Sequence, residues 1–578
     1  MPLGILGQMR SKLGHGGGVA TRLRLSSSSS WAFDSTLYNW SLRGDVPDRL
    51  IVRPVDPWCG DAEAGARLFD GVFRRGAGDA LREYAVQGAD WDAPDMPRVW
   101  AAHIHGFGWL RDLRSFANAG NGDQRRAARG FARHMILAWV DRYAAWSKRA
   151  WQADILGQRL SMWIAHYEFF AAEHLQEDEE FEEAFFDSLA RQGRHLSRIL
   201  SGVSSGGLSG CDSLAQFYAG KGMLYAGLAL EGYEAWIEQG LDILLEALET
   251  QILGDGAHVS RSASQLLDVL QVLLDVRSAL NAGGYPMPEQ IQHGIDKIAP
   301  AVRFYRYNDK YFGCFEGANT GDVAHIDAVL AQSGSKGRGM NSLPCAGYER
   351  IAAGRSLLMF DCGGSPSALY SEEAHAAPLS FELSHARERI FVNCGSDEYD
   401  EMWRASMRCA AAHNGLVIDH RDPCEMHKNG RISRGFAVEE TRREESKDGV
   451  FVEGVHDGYV PINGMAHRRG IYVSESGHDV RGVDALEGAA APLKPLDIAV
   501  RFHLHPDVKV SLINEGREAL LRLKSGGGWR FKHGGGVLAL EDSVYLGGGA
   551  LRKTKQLVIH GQVSAGRAEI KWGLSKEG

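Results

Sequence analysis

Two rhythms of apolar and polar residues divide the chain. From Asp95 to about Tyr307 apolar residues recur at spacings of three and four, as in FARHMILAWVDRYAAWSKRAW, EEFEEAFFDSLARQGRHLSRIL and SQLLDVLQVLLDVRSAL. That spacing lays them along one stripe of an α-helix. Eight such segments joined by short glycine or serine loops predict consecutive antiparallel helices, in a bundle or a toroid of hairpins. From Pro344 onward the rhythm shortens to strands. GYERIAAGRSLLMFDCG, VFVEGVHDGYV, RRGIYVSE, IAVRFHLHP and KQLVIHGQVSAGRAEIKWGL are separated by turns such as Asn514-Glu515-Gly516. Many short strands with almost no helix predict an antiparallel β-sandwich.

The stretch Ala368 to Asp419 joins the two textures. PLSFELS and RIFVNCG carry the β-branched and aromatic residues of two strands, with a turn between them, and His375 and His413 stand just before strand-like runs. A join of this kind between a helical and a β-domain is where a carbohydrate-sized cleft is expected. Between Asn308 and Asn341 the chain is polar and glycine-rich, which predicts a linker with one short helix.

Composition narrows the function. With 578 residues the chain is too long for one core. A net charge of −9 supplies no field to hold a polyanion, so nucleic acid is not an expected partner. The eight cysteines form no CxxC pair, which predicts scattered reduced thiols and a cytoplasmic setting. Residues 1–36, with basic residues and the serine run Ser26 to Ser30, predict a flexible tail without a secretion signal, and no segment has the length of a membrane span. Eleven of the fourteen tryptophans fall at or before Trp236, which suits a sugar-stacking groove, although Trp139, Trp146 and Trp163 lie on helical stripes and belong to the core.

The runs AHA-x-x-LSFEL (Ala374 to Leu383), NCG (Asn393 to Gly395) and R-x(8)-HN (Arg404 to Asn414), with HGFGWLRDL (His105 to Leu113) and LGDGAHVSRSASQLL (Leu253 to Leu267), resemble the heparinase II/III family of polysaccharide lyases. The resemblance implies an α+β multidomain chain: an incomplete (α/α) toroid over 37–307, a linker over 308–343 and an antiparallel β-sandwich over 344–578. It implies β-elimination on an acidic, uronate-containing glycan held between the domains, a structural zinc ion in some members, and a periplasmic or cell-envelope setting as the alternative to the cytoplasm.

The chain departs from the family's catalytic set. Gln265 stands where a tyrosine is expected, Leu196 to Ala257 holds no asparagine, and Glu373 occupies the position of the catalytic histidine. The remaining candidates are His258 for proton transfer, Arg261 to pair a carboxylate, and Glu373 as a base if the cleft raises its pKa. His105, Trp109, Arg111, Arg404 and Arg408 are candidates for substrate contact. His375, His413 and Asn393 match the family's zinc ligands, with asparagine replacing an aspartate. Three functions stay open, in this order: a lyase, a catalytically inactive carbohydrate-binding relative, and, last, hydrolysis by paired carboxylates, for which Glu373 alone does not supply the pair.

Overall fold

The computed structural model describes residues 33–76, 81–86, 91–171, 178–201, 214–337 and 339–577. The expected N-terminal tail lies outside the described residues as far as residue 32. Residues 33–36, assigned to that tail, already belong to the helical half, where Phe33 packs against Tyr38, Trp146 and His195.

The helical half is a toroid of antiparallel helices: α1 (Arg98–His105), α2 (Leu110–Ala119), α3 (Gly122–Tyr143), α4 (Ala153–Ala165), α5 (Asp178–Leu200), α6 (Ala215–Ala229), α7 (Ala235–Gln251), α8 (Ala263–Ala282) and α9 (Glu289–Phe304). Asn121 and Gln124 form a capping box that starts α3. Helix α6 is buried on nearly every side, and small residues let its neighbours approach. A Cβ on Gly157 of α4 would lie 2.3 Å from the Tyr218 carbonyl oxygen, and one on Gly222 would lie 2.4 Å from Gly157 Cα. Only glycine permits that crossing. It draws Lys221 into the interior, where its ammonium meets Asp275 of α8 at 2.6 Å.

A two-stranded hairpin, β1 (Val72–Arg75) and β2 (Arg82–Ala85), precedes the toroid. Of the expected linker, the helical part is present as Val323–Ser333. Its glycine-rich part differs from a loose connection: Phe312, Cys314, Phe315 and Ala318 are buried as a wedge between the halves.

The second half begins with a five-stranded sheet in chain order, β3 (Ser342–Leu343), β4 (Tyr348–Ala353), β5 (Ser356–Asp361), β6 (Phe381–His385) and β7 (Glu388–Phe391). After β8 (Leu416–Ile418) and a small hairpin, β9 (Glu425–Met426) with β10 (Ile432–Arg434), come β11 (Val438–Ser446), β12 (Gly449–His456), β13 (Met465–Ser474), β14 (Asp479–Gly488), β15 (Leu496–His503), β16 (Lys509–Ile513), β17 (Glu518–Arg522), β18 (Gly528–Gly534), β19 (Val537–Tyr545), β20 (Arg552–Val563) and β21 (Arg567–Lys576). An eight-stranded sheet has the order β11-β12-β13-β14-β21-β18-β17-β16, and a four-stranded sheet the order β19-β20-β15-β8. Their inner faces share one apolar core, in which Phe381 stacks on Trp572 at 5.3 Å. Strand β11 closes the large sheet with VEETRREES, exposed along both faces.

Within this half, expected to hold almost no helix, the stretch with Arg404 forms one, Glu401–Met407. The Asp400 carboxylate caps it by accepting the Met402 and Trp403 N–H groups.

Candidate functional site

The loop after α7 carries the first two candidates. His258 is buried, with Nε2 3.2 Å from Gln251 Oε1 and Nδ1 2.7 Å from Ser260 Oγ. The glutamine oxygen can only accept, so the ring proton sits on Nε2 and Nδ1 accepts from serine. Burial pushes its pKa down to about 3. This ring is a neutral spacer committed on both nitrogens, contrary to its expected role in proton transfer.

Arg261 sits in a left-handed backbone conformation with φ of 64° and turns its side chain into the join between the halves. Nε donates to Ala346 O at 2.7 Å, Nη1 to Glu316 at 3.0 Å, Nη2 pairs with Asp361 of β5, and the guanidinium lies 4.8 Å from the Tyr348 ring centre. Every direction of the fork is occupied, so Arg261 holds protein carboxylates and faces no groove. Around it two buried carboxyls share one cation. Burial pushes Glu316 up to about 7 against the opposing pull of Arg261, and Asp361 is also raised by burial.

Glu373 and Arg404 form an ion pair, and Arg404 also reaches Glu372 at 3.5 Å. Burial raises the Glu373 carboxyl and Arg404 opposes the rise, so this acid has a resident cation and is no free base. Arg408 gives its guanidinium to three backbone carbonyls, Ala374 at 2.8 Å, Ser371 at 2.9 Å and Gly430 at 2.6 Å. It ties loops together instead of flanking a sugar.

The expected zinc residues do come together: the His375 and His413 rings lie 4.5 Å apart between centres. Asn393 is joined to the same strand end, its Oδ1 accepting from Asn414 N–H at 3.1 Å. His375 Nε2 accepts from Gly317 N–H at 3.0 Å, which leaves the ring proton on Nδ1. Neither nitrogen of His375 then has a lone pair to give a metal. His413 Nε2 donates to Met407 O at 3.0 Å, so its Nδ1 alone is free to ligate. Burial pushes the His413 pKa down to about 4. One imidazole nitrogen beside a neutral amide does not fit a zinc site, and among the described residues no group of three or more His, Cys, Asp or Glu could hold a metal ion.

In the toroid, His105 and Trp109 are core residues. His105 bonds to Trp91 O and Trp139 Nε1, each at 3.1 Å, and Trp109 Nε1 donates to Ile104 O at 3.2 Å. Their burial removes them from any substrate surface. Arg111 lines a small polar pocket of about 150 Å³ with Gln158, Tyr218, Lys221, Asp268 and Gln271. Its Nε is held by Asp56 at 2.6 Å. That carboxylate belongs to a strap, Asp56 to Gly60, which Arg114 also grips through the carbonyls of Asp56 and Trp58. Trp58 Nε1 and Lys221 Nζ each meet Asp275 at 2.6 Å. Lys221 and Asp275 were missed in the sequence. The available signal was a lysine between two glycines in an otherwise small, apolar helix.

A helical toroid docked on an antiparallel sandwich, with a polar hollow in the toroid, is the architecture of polysaccharide lyases of the heparinase type. Residues 335–573 match the family model "Heparinase II/III-like, C-terminal". The chain is 30% identical over 560 residues to FtsZ-localized protein C of Caulobacter vibrioides (strain NA1000 / CB15N), covering 92% of this chain and 91% of that relative. Among solved structures it is similar to heparinase III, with a TM-score of 0.74 at 15% identity over 94% of this chain and 89% of that one. It is also similar to heparan sulfate lyase HepC from Pedobacter heparinus, with a TM-score of 0.56 at 15% identity over 93% and 87% of the two chains. The chain belongs to the heparinase II/III-like family. No described helix is long and apolar enough to cross a membrane.

Proposed function

We propose that this protein keeps the lyase scaffold without the β-elimination chemistry and works by binding, as an FtsZ-localised, cytoplasmic member of the family. The observation that carries the reading is the commitment of all three catalytic candidates: His258 to Gln251 and Ser260, Arg261 to Glu316 and Asp361, and Glu373 to Arg404. β-Elimination needs a base at the acidic carbon and a free cation for the uronate. Here each of the three candidates already serves a partner within the chain. The name of the Caulobacter relative supports FtsZ as the place of action, and seven free cysteines among the described residues suit a reducing compartment.

The polar pocket of the toroid, with Gln158, Gln271, Tyr218 and Lys221, supports a retained affinity for a sugar, since amides and hydroxyls match sugar hydroxyls. The test has two arms. Incubation with a panel of uronate polymers should yield no product absorbing in the near ultraviolet. A fluorescent fusion should follow FtsZ in cells, and purified protein should sediment with FtsZ polymers. Absorbance growing with time would replace this reading by the lyase that the scaffold suggests, and failure to follow FtsZ would remove the second half of the proposal.

A further inference from the structure

A hollow of about 410 Å³ lies away from the domain join, on the outer face of the eight-stranded sheet. Strand register explains it. On that face Phe451 of β12, Tyr472 of β13, Arg481 of β14, Gly573 of β21 and Lys532 of β18 form one cross-strand row. The adjacent row runs from Gly470 through Val483 to Lys571. Two of these outward positions are glycines, so a depression opens between the aromatic rings and the basic side chains. Gly470 is explained by its neighbour, because a Cβ there would lie 2.8 Å from the Phe451 ring. Gly573 is not, because the nearest atom to a Cβ there is Val480 O at 3.7 Å. The strand could carry a side chain at 573, and the space is left open.

We propose that this hollow is a docking site for an acidic peptide segment that inserts one large apolar side chain. Phe451, Tyr472 and Val483 offer carbon surface, and the Tyr472 hydroxyl is already given to Asp448 O at 2.7 Å. The floor is therefore mostly carbon surface, which an aromatic or aliphatic anchor would cover. Arg481, Lys532 and Lys571 stand on the rim, two of them with side chains 70% and 71% exposed. Asp479 and Glu569 pair with Arg481 and Lys571 at 2.5 and 2.9 Å, contacts that exposed ion pairs exchange readily. In a chain of net charge −9 the three rim cations outnumber the two carboxylates beside them, and this locally positive border next to an apolar depression suits an acidic partner by charge complementarity. The inference stands apart from the fate of the lyase site and from FtsZ.

The probe is a fluorescein-labelled dodecapeptide with aspartates and glutamates flanking a central tryptophan–leucine pair, followed by fluorescence anisotropy on the full chain. Binding in the range of about 10–100 μM is expected at low salt. It should weaken about tenfold in Gly573→Leu, which fills the hollow, and about tenfold in Lys532→Glu/Lys571→Glu, which reverses the rim. Thermal melts confirm that each variant is folded, and the charge variant alone suffices if Gly573→Leu is not. No anisotropy change with the wild type, binding unaltered in the folded variants, or displacement of the peptide by an oligogalacturonate instead of by unlabelled peptide would overturn the proposal.

Discussion

Arg261 and Glu316 lie 3.0 Å apart at the seam between the toroid and the sandwich, and the other oxygen of that glutamate accepts the His375 backbone N–H at 2.9 Å. The GAHVSR loop and the His375 strand edge are therefore coupled through one carboxylate, as a structural joint. Removing the arginine strands two buried acids. Arg261→Leu is expected to lose about 3–5 kcal/mol of stability, since an uncompensated buried charge outweighs the pair's own contribution. Urea unfolding measures it. A variant as stable as the wild type would return Arg261 to the list of free ligand-binding groups.

The same joint gives a pH signature. Glu316 is raised from 4.5 to about 7, so the folded state binds a proton that the unfolded state has released, and stability drawn from this group falls as pH rises from about 4.5 to 7. Glu316→Gln should abolish that component. The stability of wild type relative to the variant is expected to decline across the window, as read from urea midpoints at pH 5, 6 and 7, and a constant difference would refute the assignment.

Buried histidines impose the opposite slope. His258 and His503 are pushed down to about 3 and His413 to about 4 by burial, so they stay neutral in the fold while the unfolded chain takes up protons below 6.5. Stability is lost as pH falls from 6.5 towards 4, by about 1.4 kcal/mol per pH unit for each such ring. His413→Gln should shallow the decline in an acid titration followed by circular dichroism.

Zinc content tests the tautomer assignment at His375. Protein purified without chelator should hold less than about a tenth of an equivalent of zinc, and chelator should leave its melting temperature unchanged. A stoichiometric metal would mean that the Gly317 N–H bond to His375 opens to free a nitrogen.

The strap is expected to depend on Arg111. Arg111→Ala leaves the buried Asp56 carboxylate without its closest cation, and faster cleavage near Trp58 in limited proteolysis, with a loss of about 2–4 kcal/mol, is the expected result. Unchanged protection would show that Arg114 alone secures the strap.

The helical stripes and strand alternations were legible because they are local. Trp139 and Trp163 fell on buried faces as their spacing required, and Phe381 and Phe391 fell inside the sandwich. The site was not legible, because its partners are remote: Glu316 and Asp361 stand 55 and 100 residues from Arg261. A sequence shows an arginine's reach but not its occupancy. Composition also misled. Residues 309–321 have the glycine content of a flexible connection, yet Gly317 and Cys314 N–H groups are spent on His375 and Glu382. Helix Glu401–Met407 was missed because the strand runs on either side of it set the reading, although its Asp400 cap and its helix-forming residues were in plain sight.

Strand β11 closes the large sheet with mostly exposed glutamates and arginines, of which Arg443 reaches back to Glu349 at 2.7 Å. A second molecule adding a strand at that border would have to desolvate a ladder of like and unlike charges with no apolar surface in return. Whatever company this protein keeps, that margin is built to stay solitary, and assemblies that include it must be joined elsewhere.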